Sequence, residues 1–257
     1  MSDNLQPRGS DDASFAQPLY TPIKRRSFFM YAGATAGATA LVMAGCSKDN
    51  DPVTSDNLIN VGSGDTGVLN YAYALEQLEA GFYTRLRTGT YYTGLGSASA
   101  EKQILDDLYY HEVIHREFFK AAITSGRISD SLTPDFSKID FNSRTSVLGT
   151  AMAFEDLGVA AYNGAGQYIS SPLYLTLAGK IVSVEARHAA IIRDLVMEGS
   201  FVGNDVVTIS SANNSASAGG AGSSGSSQER SKTPSEVVAV ANTFLAEGSK
   251  LNVSGLK

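Results

Sequence analysis

Two Glu-x-x-His motifs, Glu112–His115 and Glu185–His188, contain two of the three histidines in this chain of 257 residues. In an α-helix this spacing places both side chains on one face, one turn apart, so that both can reach a single ion. Each motif lies within a stripe of mostly apolar residues spaced by three and four positions, which is the spacing of a buried helix face. The stripes are Leu105, Leu108, Glu112, His115, Phe119 and Ala178, Ile181, Glu185, His188, Ile192, Leu195. The sequence therefore predicts two helices that direct carboxylates and imidazoles into a helical core.

A second repeated pattern adds a glutamate and a tyrosine to each half of the chain. Glu76 and Glu155 each lie in the apolar stripe of another helical segment, and each is followed two turns later by a tyrosine, Tyr83 or Tyr162. The two segments align without gaps around these residues. The chain therefore contains an internal repeat of two units, each with one Glu on its first helix and Glu-x-x-His on its second.

The charge of these side chains indicates a metal centre. Four carboxylates in one core are unfavourable if they are left unpaired, by roughly several kcal/mol per buried ion. The four stripes contain no Lys or Arg that could neutralise them. Two divalent cations would do so, and oxygen and imidazole ligands suit iron or manganese, with zinc as an alternative. One Glu from each of two helices and Glu-x-x-His from each of two others form the ligand set of di-iron and di-manganese helix bundles. The sequence therefore predicts two Fe or Mn ions as cofactors.

The fold class predicted from these patterns is all-α, a four-helix bundle with a long connection between its second and third helices. Helical periodicity predicts helices at residues 68–88, 98–125, 144–169 and 172–198. The first two and the last two are joined by short links, which is typical of antiparallel hairpins. The link from 127 to about 143 is long enough to cross the length of the bundle. We therefore predict a bundle domain over residues 68–199.

The C-terminal part of the chain is predicted as a loop followed by a fifth helix. Residues 200–232 contain a Ser/Ala/Gly/Asn-rich stretch, which is typical of a low-complexity loop. Thr233-Pro234-Ser235-Glu236 has the pattern of a helix start. We expect residues 233–257 to dock on the bundle, with binding to a partner as the alternative. The predicted apolar face is Val237, Val240, Ala241, Phe244 and Leu245.

The N-terminal part has the features of an export signal. Arg25 and Arg26 precede an apolar run of about 18 residues, shorter than the ~20 of a spanning helix, and the pair is typical of a twin-arginine signal. The run ends directly before Cys46, as in bacterial lipoproteins, which this segment resembles and in which that cysteine is acylated. We therefore expect a signal over residues 1–45, a membrane tether at Cys46 and a location in the periplasm or on the outer envelope face. An uncleaved anchor is the alternative. Residues 46–67 are predicted as a flexible stalk.

Composition excludes several classes of partner and site. Lys and Arg number 20 against 26 Asp and Glu, for a net charge of -6, which argues against binding of nucleic acid. The single cysteine excludes an intramolecular disulfide and a thiolate zinc cluster. The expected partners are metal ions and small oxidants. A tether and a stalk also favour a monomer or dimer over a closed cage.

Residues 68–199 resemble the ferritin-like superfamily. The segments 78–83 and 154–162, together with the C-terminal helix, resemble the ferritin-like domain of desiccation-associated bacterial proteins. The resemblance implies three kinds of metal ligand in this chain. Those are Glu76 and Glu155 as single carboxylates, Glu112 and Glu185 as bridging carboxylates, and His115 and His188 as terminal imidazoles.

We expect redox chemistry with O2 or H2O2, of ferroxidase or catalase type, in protection against oxidative or metal stress. No catalytic residue is assigned beyond the metal ligands. The alternative is a metal-stabilised structural or stress-protective protein that catalyses no reaction. The sequence leaves both open, because redox turnover needs an open coordination position and access for the substrate.

Other polar residues near the motifs have more than one interpretation. Glu79, one turn from Glu76, is predicted to be solvated or to adjoin the ligands, with ligation instead of or beside Glu76 as the alternative. Tyr83 and Tyr162 either pack in the core or donate a hydrogen bond to a ligand carboxylate. Because successive residues of an α-helix are rotated by about 100°, the His111 side chain should point away from that of Glu112. An exposed or hydrogen-bonding role is therefore predicted for His111 rather than ligation.

Overall fold

The computed structural model describes residues 57–203, 205–207 and 229–256. The predicted signal segment, with Arg25, Arg26 and Cys46, lies outside the described residues, as does most of the predicted low-complexity loop. None of the helices in the described ranges has the length and apolar character needed to cross a bilayer. The expectations about export and lipidation therefore remain predictions.

Four long helices form the bundle, and the prediction of an all-α fold is confirmed. The helices of the domain, in chain order, are α1 (Gly64–Leu86), the short α2 (Thr90–Gly94), α3 (Ala100–Ala122), α4 (Arg144–Ala165) and α5 (Pro172–Val196). A serine precedes each of the last three, and its hydroxyl accepts a hydrogen bond from a backbone N–H in the first turn. The short helix α2 was not predicted, because its segment has the turn-rich composition of a loop.

The central helices of the bundle are α1 and α4, most of whose residues are buried. Helix α3 packs on α1, and α5 packs on α4. The buried residues of α3 are the five of its predicted stripe, Leu105, Leu108, Glu112, His115 and Phe119. The outer helices therefore each contribute one face to the core, and that face includes the Glu-x-x-His motif.

The link between α3 and α4 lies along the whole of α1. Two amide side chains of α1 attach it by both donating and accepting hydrogen bonds. Asn70 donates to the Gly126 carbonyl at 2.7 Å and accepts from the Ile128 amide at 3.1 Å. Gln77 does the same further along α1, with Ser129 and Leu132 of the link. The long crossover connection is thus tied to buried polar groups of a central helix.

An aromatic cluster lies beneath the far end of this link. The Phe82 ring, fully buried on α1, contacts Phe136 and Phe141 of the link and Phe154 of α4, with ring centroids 5.2 to 6.1 Å apart. Edge-on and tilted packing of this kind is favourable for aromatic rings. The cluster fixes the position of α1 relative to α4.

The structure differs from the predicted stalk over its last ten residues. Strand β1 (Ile59–Asn60) pairs in parallel with strand β2 (Leu251–Asn252) near the C-terminus. Val61 is completely buried. Local composition does not reveal this pairing, because the partner strand is far away in the sequence.

The predicted C-terminal helix is α6 (Pro234–Ala241). It begins with a capping box between Thr233 and Glu236 and packs on α4 and α1. Its predicted apolar face differs in one position, because Val240 is 39% exposed whereas Val238 is buried. The buried residues of this helix are Pro234, Val237, Val238 and Ala241. Their spacing is that of one helix face, and Val240 lies outside that face.

The described ends of the predicted loop are attached to the bundle. Arg193 of α5 is buried and forms ion pairs with Asp156 of α4 and with Asp205. At the other end, the Lys232 amide donates to the Ala160 carbonyl at 3.0 Å. These contacts hold Asp205 beside α5 and Lys232 against α4.

We expect Gly164→Ala to detach residues 230–232 from α4. A Cβ atom at Gly164 would lie 1.8 Å from the Lys232 carbonyl oxygen, so the backbone must move. Overpacking of this kind costs about 1–3 kcal/mol in the free energy of unfolding. Equilibrium unfolding of the full chain in urea measures the change.

The matched control is Gly179→Ala on α5, where a Cβ atom meets nothing within 4 Å. Helix propensity predicts that this variant is as stable as the wild type or more stable by up to about 1 kcal/mol. Equal stabilities of the two variants would contradict the expected contact.

Candidate metal centre

The structure brings together the six side chains that the motifs identified. Glu76 comes from α1, Glu155 from α4, and one Glu-x-x-His motif from each of α3 and α5. All four carboxylates are completely buried, and His115 and His188 are 9% and 3% exposed. The six residues are Glu76, Glu112, His115, Glu155, Glu185 and His188. Because one helix stripe of each element faces the core, the six groups meet in the interior of the bundle.

These side chains form two overlapping groups, in each of which one ligand atom per residue lies within 4.8 Å of the others. Each group contains three carboxylates and one imidazole. Glu112 and Glu185 belong to both groups, whereas every other member belongs to one. The groups are Glu76, Glu112, His115, Glu185 and Glu112, Glu155, Glu185, His188. We call them the His115 subsite and the His188 subsite.

Both imidazoles direct Nδ1 at the carboxylates. Nδ1 of His115 lies 2.7 Å from Oε1 of Glu185. Nδ1 of His188 lies 2.8 Å from Oε1 of Glu112. Each histidine therefore makes its shortest contact with the glutamate of the other motif, so the two motifs interlock across α3 and α5.

The unpartnered oxygens show that the donor set fits metal ions. Several buried ligand atoms have no hydrogen-bond partner among the described residues, and those atoms are Oε2 of Glu76, both carboxylate oxygens of Glu112, Nδ1 of His115, Oε2 of Glu155 and Oε1 of Glu185. Some of them lie close to an imidazole nitrogen, but these contacts lack hydrogen-bond alignment. Buried polar atoms are normally satisfied. Converging oxygen and imidazole lone pairs without partners are what divalent iron, manganese or zinc binds.

Burial and mutual repulsion shift the pKa values of the carboxyl groups. Burial, with the negative charge of Glu185, raises the pKa of Glu76 to about 8, against the opposing effect of His115. Burial also raises the pKa values of Glu112 and Glu155. The two histidines hold the pKa of Glu185 below its usual value in spite of its burial.

The pKa values of the two imidazoles are raised, which favours their protonated forms. Burial alone would lower the pKa of His115, but its contacts with Glu112, Glu185 and Glu76 raise it to about 12. The carboxylates around His188 raise its pKa as well, again against the effect of burial. Both shifts favour protonated imidazoles when no cation is bound, and a metal ion would have to displace those protons.

Two tyrosines hold the outer carboxylates in place. The Tyr83 hydroxyl on α1 donates to Oε1 of Glu155 at 2.5 Å, and the Tyr162 hydroxyl on α4 donates to Oε1 of Glu76. Each tyrosine thus bonds the glutamate of the other repeat, which shows that α1 and α4 run antiparallel. In both glutamates Oε2 is left facing a histidine Nδ1, at 3.4 to 3.5 Å. Residue spacing alone leaves open whether these hydroxyls bond a carboxylate.

Glu79 lies beside the cluster but belongs to neither subsite. Its side chain fills the space next to Gly158 on α4, where a Cβ atom would be 3.0 Å from Oε1 of Glu79. Gly158 occupies the position equivalent to Glu79 in the repeat, so the two helices can accommodate one carboxylate there. Burial and the charge of Glu112 raise the pKa of Glu79 well above its usual value. The candidate ligand from α1 is therefore Glu76 and not Glu79.

His111 is exposed, and it contacts a ligand candidate from outside. Its Nδ1 lies 2.8 Å from Nε2 of His188, and the two rings are stacked with centroids 5.1 Å apart. The sequence predicted an exposed or hydrogen-bonding role for His111 without identifying its partner. Helical spacing carries no signal for this contact, because the two residues are on different helices.

Comparison with known families identifies the family of the bundle. The family model described as a ferritin-like domain matches residues 64–198, which is more than half of the chain. The matched segment begins with α1 and ends just after α5. A search of curated proteins gave no match.

We expect the metal-free protein to lose stability as the pH rises from about 5 to 8. Glu76 has a folded-state pKa of about 8 against an ordinary value of 4.5, and His115 about 12 against 6.5. The unfolded chain releases these protons first, so the stability they give is lost with rising pH. The loss is about 1 kcal/mol per pH unit for Glu76 above about pH 4.5, and about the same for His115 only above about pH 6.5. Thermal unfolding of chelator-treated protein measures this.

The variant Glu76→Gln removes the part of this pH dependence that belongs to Glu76, so its stability should fall less steeply between pH 5 and 8. Loading with metal should reverse the trend, because protons then compete with the ion. A stability that is constant or rises with pH in the metal-free wild type would contradict the expected protonation.

Proposed function

This chain belongs to the ferritin-like domain family, and we propose that its buried cluster binds two divalent iron or manganese ions that react with O2 or H2O2. Zinc is the alternative ion, because carboxylate and imidazole ligands suit zinc as well. We further propose that the reaction protects against oxidative or metal stress, as a ferroxidase or as a catalase-like enzyme. The cluster of buried Glu and His residues is compatible with a metal site.

The observation that carries the proposal is the sharing of two carboxylates between two ligand groups. Glu112 and Glu185 are positioned to bridge two ions, each of which would have one further carboxylate and one imidazole. Four carboxylates balance the charge of two divalent cations. The ions would thus replace the protons that the metal-free cluster retains, at no net charge in the core.

The surrounding residues supply orientation and exclusion of water. Tyr83 and Tyr162 hold one oxygen of Glu155 and of Glu76, so that each presents its other oxygen as a terminal ligand. A pair of adjacent redox-active ions supplies the electrons for reduction of a small oxidant. Because the four carboxylates are completely buried, the site favours molecules of the size of O2 or H2O2 over larger substrates.

The same burial favours a second candidate function. Ions enclosed by completely buried carboxylates would stabilise the bundle without turnover. The protein would then be a metal-stabilised structural or stress-protective protein. The two candidates share the metal site and differ only in reactivity.

We expect about two ions per chain in the wild type after anaerobic loading with Fe(II) or Mn(II), as in other bundles with this ligand set. Glu76→Gln should lose one ion, because it removes a terminal ligand of the His115 subsite. Glu79→Gln should keep both. Elemental analysis of the full chain measures the content.

The double variant His115→Ala/His188→Ala should bind no metal, since it removes one ligand from each subsite. Glu117→Gln, a substitution of a glutamate with a 51% exposed side chain on α3, is the control and should match the wild type. Equal metal content in the double variant and the wild type would refute the ligand assignment.

Consumption of oxidant then separates the two candidate functions. Anaerobically loaded protein is mixed with O2 or with H2O2, and the remaining oxidant is followed with an electrode. Metal-dependent consumption that the double variant lacks would support the redox function. Two bound ions with no consumption of either oxidant would favour the structural function.

We also propose that the domain is exported and tethered through a lipidated Cys46. The support is the Arg25-Arg26 pair and the apolar run before the cysteine. Cys46→Ala should release the exported protein from the membrane fraction, and Arg25→Lys/Arg26→Lys should retain it in the cytoplasm. Fractionation of cells expressing the full chain tests both.

Size-exclusion chromatography of the detergent-solubilised chain tests the proposed monomer or dimer against a cage.

A further inference from the structure

The His188 subsite has an outer hydrogen-bond partner that the His115 subsite lacks. Nδ1 of His111 lies 2.8 Å from Nε2 of His188, and the ring planes differ by 14°. Within the described part of the chain, no hydrogen bond reaches Nε2 of His115. The two imidazoles therefore differ in their surroundings, although their ligand-facing nitrogens are equivalent.

The internal repeat explains this difference. His111 precedes His115 by one helical turn on α3, and Val184 takes the same place before His188 on α5. A reciprocal contact with His115 would need a hydrogen-bonding side chain at position 184, where valine has none. The pseudo-symmetry of the six ligands is thus broken directly outside the cluster.

The contact with His111 selects one form of the His188 ring. To bind an ion through Nδ1, the ring must carry its remaining proton on Nε2. Nδ1 of His111 is placed to accept a hydrogen bond from that N–H, which fixes the tautomer and the orientation of the ring. Since His111 is exposed, water can solvate the other nitrogen of its own ring.

We propose that His111 is a positioning residue which makes the His188 subsite the tighter of the two, so that the first divalent ion binds there. This inference rests on the proposed binding of two ions. It goes further by ordering their binding and by assigning the order to a residue outside the ligand set. Partners of ligating histidines at such positions typically change metal affinity by about 10- to 100-fold.

The test is a Co(II) titration of the metal-free full chain, followed by absorption and by competition with a chelator. The wild type should bind two ions in two distinguishable steps. His188→Ala should abolish the tighter step, whereas His115→Ala should retain it. The opposite pattern would overturn the proposed order.

Two substitutions of His111 separate the hydrogen bond from the ring stacking. His111→Phe keeps an aromatic ring but removes the acceptor, and should weaken the first step about tenfold while leaving the second unchanged. His111→Asn supplies an acceptor oxygen near the position of Nδ1 and should restore most of the affinity. Weakening by Asn but not by Phe would assign the effect to stacking and refute the proposal.

The outcomes also separate this inference from the proposed function. If the wild type binds no Co(II), the proposed metal site itself fails. If it binds two ions and His111→Phe leaves both affinities unchanged, only the role of His111 fails. Thermal unfolding of the metal-free variants provides the folding control, and Glu117→Gln on the same helix should behave as the wild type in every titration.

Discussion

The whole domain is organised around the burial of four carboxylates and two imidazoles between four helices. Such a cluster is unfavourable unless protons or cations balance its charge. Burial raises the pKa of Glu76 and the surrounding carboxylates raise that of His115, and both shifts favour protons in that role when no cation is bound. The central position of α1 and α4, the single buried face of α3, and the tyrosines that hold Glu76 and Glu155 all serve to keep these groups in contact.

Two repeats build the cluster, and the places where they differ are informative. The candidate ligands and the tyrosines follow the repeat, so each half supplies an equivalent set. Glu79 faces Gly158 because the space between α1 and α4 holds one such side chain. His111 contacts His188, whereas Val184 cannot make the reciprocal hydrogen bond. The core is therefore nearly symmetric, and the surroundings of the ligands make its two halves chemically different.

Sequence periodicity predicted the bundle and the faces of its outer helices, because apolar spacing depends only on local helical geometry. The buried residues of α3 are those of the predicted stripe. Prediction was poorer where a short segment depends on a distant one. Residues 58–67 were predicted as a stalk, but Ile59 pairs with Leu251 and Val61 is buried.

The sequence by itself determined which residues are the candidate metal ligands and which helix faces carry them, because both follow from residue type and spacing along one helix. Only the tertiary structure decided how the helices meet. It paired each tyrosine with the glutamate of the other repeat, made Glu112 and Glu185 common to two ligand groups, and placed His111 against His188. These contacts depend on the rotation and depth of one helix relative to another, which no single-helix periodicity specifies.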